Sequence, residues 1–138
     1  MDIRRIAAGA LNQTPLDWSG NRRRIATTIR RARDREVGVL CLPELCVTGY
    51  GCEDAFHSPD LADRALEVVA DLEPLTDDIV VSVGLPIRFR GALYNATCLL
   101  ADGDARGFVA KRHLAGDGVH YEPRWFNAWP TGERIELD

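Results

Sequence analysis

The stretch Val-Gly-Val-Leu-Cys-Leu-Pro-Glu-Leu-Cys-Val-Thr-Gly-Tyr, residues 37–50, decides the fold. Val37 to Leu42 is a short apolar run that reads as a buried strand. Pro43 ends it, because proline has no N–H to give to a ladder. Glu44 is therefore delivered at a strand end, where open α/β sheets place their chemistry. With few charges nearby, its carboxylate is expected to be partly desolvated, which raises its pKa and suits it to proton transfer. Taken alone, a Glu in such a loop reads as a solvated surface side chain. The residues further along the chain decide between the two.

Working outward, Ile3 to Leu11 reads as the first strand and Asn12 to Gly20, with Pro15, Asp17, Ser19 and Gly20, as a loop. Asn21 to Glu36 is a helix with Ile25, Ile29 and Ala32 on its apolar side. It carries Arg22, Arg23, Arg24, Arg30, Arg31, Arg33 and Arg35. The reading is a solvated helix face, with phosphate binding the lesser alternative. Pro59 or Asp60 opens a second helix with Leu61, Ala65, Leu66, Val69 and Leu72 at helical spacing, running to about residue 73. Ile79 to Leu85 is a third strand. Ala92 to Ala101 and Ala105 to Ala110 form a hairpin through Asp-Gly-Asp, with Asp102-Gly103 as the turn. His113 to Pro130 is polar and aromatic, and Thr131 to Asp138 reads as the approach to another strand. The order βαβαβ plus a hairpin predicts an α/β fold: a mixed sheet with both helices on one face.

The composition bounds the function. The 138 residues make one domain with room for a core, and 46% are hydrophobic. A net charge of −4 argues against bulk nucleic-acid binding. No transmembrane run or signal peptide is visible, and four unpaired cysteines without a secretion signal predict a cytoplasmic protein. Cys41 and Cys98 lie in apolar runs and read as small hydrophobes. Cys46, Cys52 and His57 fit no common zinc spacing, so no metal is expected.

Lys111 ends the last hairpin strand. A lysine there, beside a carboxylate, can stabilise an oxyanion or pass a proton. Glu122, eleven residues on, can hold its ammonium in place.

Four motifs occur in order: Leu-Pro-Glu-Leu with Thr-Gly-Tyr (42–50), Tyr-Asn-Ala-Thr (94–97), Ala-Lys-Arg-His-Leu (110–114) and Tyr-Glu-Pro-Arg-Trp-Phe (121–126). Together they resemble the nitrilase, or carbon–nitrogen hydrolase, superfamily. Residues 10–21 (Ala-Leu-Asn-Gln-Thr-Pro-Leu-Asp-Trp-Ser-Gly-Asn) and 48–56 (Thr-Gly-Tyr-Gly-Cys-Glu-Asp-Ala-Phe) are similar, more narrowly, to the glutaminase domains of glutamine-dependent NAD⁺ synthetases. The resemblance implies part of an αββα sandwich with helices on the outer face of a mixed sheet. It implies hydrolysis of a carbon–nitrogen amide bond through a Glu–Lys–Cys triad. Glu44 then matches the general base, Lys111 the oxyanion-stabilising lysine, Glu122 the residue that orients the lysine, and Tyr50 a residue beside the substrate glutamine. The ammonia released would feed a synthetase domain that uses ATP; the glutaminase portion itself would need no cofactor.

The chain departs from the pattern in two respects. The family's nucleophilic cysteine follows the motif lysine, and none of the 27 residues after Lys111 is cysteine. All four cysteines precede Lys111, and no Ser-Gly-Gly pyrophosphate loop is present. A smaller departure is Ala115-Gly116-Asp117, where many relatives carry Pro-Asn-Tyr. The expectation is that residues 1–138 are the N-terminal part of a glutamine amidohydrolase domain, without its C-terminal half or the synthetase domain, and inactive alone. Its expected partners are glutamine and either further copies of itself or the missing half, with no nucleic acid and no membrane. A fragment of a stand-alone amidase or carbamoylase is the second reading, and a non-catalytic, partner-binding remnant the third.

Overall fold

A computed structural model of the chain describes residues 5–136. Five strands form one mixed sheet in sequence order: β1 (Ile6–Ala8), β2 (Val39–Cys41), β3 (Val80–Phe89), β4 (Ala92–Ala101) and β5 (Asp104–Ala110). The first three run parallel and the last three antiparallel. Two helices make the crossovers, α1 (Trp18–Arg33) and α2 (Leu61–Leu72). A single turn, α3 (Glu122–Trp125), follows the hairpin.

Both long helices pack on one sheet face, as the periodicity predicts. Ile25 and Ile29 of α1 and Ala65, Val69 and Leu72 of α2 share a core with Leu40, Val81, Val83, Leu85, Cys98 and Leu100. Register puts Leu40 opposite Val81, Val81 opposite Leu100, and Val83 opposite Cys98. Paired residues point to the same side, so this set is one face. The opposite face carries Ile6, Ala8, Val39, Cys41, Val80, Ser82, Thr97, Leu99 and Val109, none of them buried. The described residues thus supply one helix layer and one sheet layer.

Several expectations are corrected. Helix α1 starts at Trp18, inside the expected loop, because Asp17 accepts the Gly20 N–H at 3.0 Å and caps it. Strand β1 spans only Ile6–Ala8; Ile3 lies outside the described residues. Leu66 is 38% exposed and Val68 is buried in its place. Cys41 is exposed because it faces away from the helices, whereas Cys98 is buried. Residues 131–136 form no strand, and 137–138 lie outside the described residues. On α1 the arginines are exposed except Arg24, which is half-buried; Arg22 and Arg33 meet Asp71 and Asp77.

Candidate active site

The turn that presents Glu44 is held from two sides. After Pro43 the chain turns over β3, where Val47 N–H donates to Gly84 O at 3.1 Å. From the other side, buried Asn21 donates to Val47 O at 3.1 Å and Thr14 O at 2.8 Å, and accepts from Thr14 N–H at 3.0 Å. Gln13 donates to Cys46 O at 2.6 Å. The Asn12–Asn21 segment thus buttresses the Glu44 turn. Gly49 has φ +84°, and a Cβ there would stand 2.9 Å from Pro15 Cα, so only glycine lets the two segments meet.

Lys111 follows β5 directly. Its N–H donates to Asn95 O of β4 at 2.8 Å. Its ammonium nitrogen stands 2.6 Å from Glu44 Oε1. It is also 3.0 Å from each carboxylate oxygen of Glu122. Glu122 opens α3 and its side chain is 1% exposed. Its charge is balanced by Lys111 and by hydrogen bonds from Ala115 N–H at 2.7 Å and Tyr50 O–H at 3.0 Å. The Ala115 contact gives the Ala-Gly-Asp variant a defined place in the site.

These contacts set the protonation states. Burial pushes the Glu122 carboxyl up, but the Ala115 N–H, Lys111 and Tyr50 outweigh it and hold it below the usual carboxylate range. Burial depresses Lys111, yet Glu44 and Glu122 together raise it above the ordinary lysine value. Burial, then the Glu122 contact, pushes the Tyr50 phenol up to about 12, so it stays a donor at neutral pH. The site therefore holds two carboxylates around one ammonium.

The structure brings together all four residues expected from the sequence: Glu44, Lys111, Glu122 and Tyr50. It corrects the expected desolvation of Glu44, whose side chain is 41% exposed because the turn lifts it to the mouth of a cleft. That open cleft, of about 280 Å³, is lined by Glu44, Asn95, Thr97, Val109 and Lys111, with Ala96 and Ala110. Sequence reasoning gave no role to Asn95, which is 2% exposed and donates to Glu44 Oε1 at 2.7 Å. Its only signal was its place in the Tyr-Asn-Ala-Thr motif.

None of the cysteines lines the cleft. Burial pushes the thiols of Cys46 and Cys98 up to about 12. Burial also raises Cys52, whose Sγ lies 3.3 Å from Thr48 O and 3.2 Å from Gly49 O. Thiols held in this way are poor nucleophiles. Among the described residues, no three His, Cys, Asp or Glu are grouped to hold a metal ion. No described helix is long and apolar enough to cross a membrane.

This sheet, with a Glu–Lys–Glu cluster at a strand-end cleft, defines a class. The chain belongs to the carbon–nitrogen hydrolase family, whose model matches residues 5–136. Within that class it is similar to glutamine-dependent NAD⁺ synthetases. The Mus musculus enzyme is 36% identical over 133 residues, 95% of this chain and 18% of that protein. The crystal structure of the Cytophaga hutchinsonii enzyme superposes with a TM-score of 0.93 at 47% identity, covering 96% of this chain and 23% of that one. An amidase of the nitrilase superfamily from Nesterenkonia AN1 shares the fold, with a TM-score of 0.78 at 20% identity, covering 94% of this chain and 51% of that one. The chain thus spans less than a quarter of the length of the synthetases it matches.

Proposed function

We propose that the chain supplies the base and the lysine of a glutamine amidohydrolase site, the ammonia-producing part of a glutamine-dependent NAD⁺ synthetase. The observation that carries this reading is the ammonium of Lys111, held between Glu44 and Glu122 at the mouth of an open cleft. The similarity to the synthetases of Mus musculus and Cytophaga hutchinsonii favours glutamine over other amides.

In this reading the thiol comes from outside these 138 residues. Glu44 takes its proton, and the sulfur attacks the side-chain amide carbon of glutamine. Lys111 faces the oxygen that gains charge, where a fixed cation is worth most. Glu44 returns the proton to the departing ammonia, leaving a thioester. It then deprotonates a water molecule, which attacks the thioester and releases glutamate and the thiol. The net reaction is glutamine plus water to glutamate plus ammonia. Glu122 keeps Lys111 charged and aimed throughout, and Tyr50 stands beside the substrate. The glutaminase portion needs no cofactor; ATP belongs to the synthetase reaction. The chain is the N-terminal part of its domain and is completed by a C-terminal half or by further copies.

The test is a graft. Residues 5–136 replace the matching segment of the Cytophaga hutchinsonii synthetase, and NAD⁺ formation is compared with glutamine or free ammonia as nitrogen source. Glutamine-supported synthesis supports the reading. Synthesis from ammonia but not from glutamine would contradict it.

A further inference from the structure

We propose that Asn95 is a positioning residue of this site: one amide nitrogen ties Glu44 to Glu122 and so fixes where the Lys111 ammonium stands. The proposal rests on reading the cluster as a hydrolase centre. Asn95 Nδ2 lies 2.7 Å from Glu44 Oε1 and 3.2 Å from Glu122 Oε1. The Lys111 ammonium contacts the same two oxygens, at 2.6 and 3.0 Å. Four atoms therefore close a ring in which donors and acceptors alternate. The amide nitrogen must face the carboxylates, because its oxygen would be repelled by both. The same residue also holds the lysine through the backbone, since Asn95 O accepts Lys111 N–H at 2.8 Å.

The chemistry of the ring explains why an amide suits this place. Two carboxylates and one ammonium leave one negative charge. A second cation would cancel it and compete for the base. A carboxylate would add repulsion, and an aliphatic side chain would leave each of the two oxygens one donor short. A buried neutral group with two N–H bonds spans the pair without changing its charge. It also divides the work of Glu44. Oε1 accepts from both Lys111 and Asn95, while Oε2 bonds to no protein donor among the described residues. Oε2 is then the oxygen free to accept a proton at the cleft.

The test is NMR on the 15N-labelled chain. Both Asn95 side-chain amide protons are expected to resonate downfield and exchange slowly. Glu44→Gln should shift one of them and Glu122→Gln the other. The Lys111 ammonium should give a protected 15N signal that is lost in a folded Asn95→Leu variant. A role in core packing alone would lower the melting temperature and leave that signal in place. Asn95 protons that respond to neither glutamine substitution, or a Lys111 signal unchanged in Asn95→Leu, would overturn the proposal. Should Asn95→Leu not fold, Glu44→Gln still decides, because Glu44 is exposed. None of these signals needs glutamine turnover, so this proposal and the functional reading can fail separately.

Discussion

Gly84 lies directly beneath the peptide that carries Glu44. A Cβ on Gly84 would stand 2.5 Å from Pro43 O and 2.9 Å from the Glu44 carbonyl carbon, and would fall on the Leu45 nitrogen. All three are backbone atoms, so no side chain can move aside. Gly84→Ala is expected to lift the Glu44 turn off β3 and destabilise the chain by about 1–3 kcal/mol, the range for overpacking. Thermal melting checks this; an unchanged midpoint would mean that the close approach is not there.

Asn21 links the first loop to the same turn. Asn21→Leu keeps the branched heavy-atom shape but orphans the buried Val47 carbonyl and removes both hydrogen bonds to the Thr14 backbone. The expected cost is about 1–3 kcal/mol. Urea denaturation measures it, and a loss below a few tenths would mean the buttress is dispensable.

The cluster predicts stability loss at both ends of the pH scale. Glu122 has its folded pKa depressed, so its contribution is present above the ordinary carboxylate value and lost as pH falls through the depressed one. Lys111 has its folded pKa raised, so its contribution is present below the ordinary lysine value and lost as pH rises through the raised one. Glu122→Gln should weaken the chain at neutral pH and remove this part of the acid limb. Chemical denaturation across the pH range would expose an acid limb that Glu122→Gln leaves untouched.

The sheet face away from the helices should make the isolated chain associate. Ile6 is 74% exposed, Val109 61% and Leu99 37%, all on that face. Covering such surface gains roughly 25 cal/mol per Å² of apolar area. Sedimentation should show self-association that Leu99→Lys with Val109→Lys reduces. A monodisperse monomer with a cooperative melt would count against it.

The sequence told most where local chemistry and tertiary packing agree. The hairpin is found to within a residue because Asp102 and Gly103 take the positive φ values, +50° and +76°, that a tight turn needs. The two helices fall on one face because their apolar periods face a single core. Glu44 and Lys111 were legible as strand-end charges, and Glu122 as a carboxylate eleven residues on, because their company matched a family. Asn95 was not, because a lone asparagine in a strand has no pattern; its role exists only where β4 passes between two carboxylates. The exposure of Cys41 was hidden for a related reason, since a short apolar run does not reveal which sheet face is covered.

The most direct measurement of the central claim is glutamate release by the grafted enzyme and its point variants. In the graft, Glu44→Gln and Lys111→Met are each expected to lower kcat by at least about 10²-fold. The 138-residue chain alone should release no glutamate. Turnover by the chain alone that Cys41→Ala, Cys46→Ala or Cys52→Ala abolishes would contradict the account, as would a graft whose kcat is indifferent to Lys111→Met.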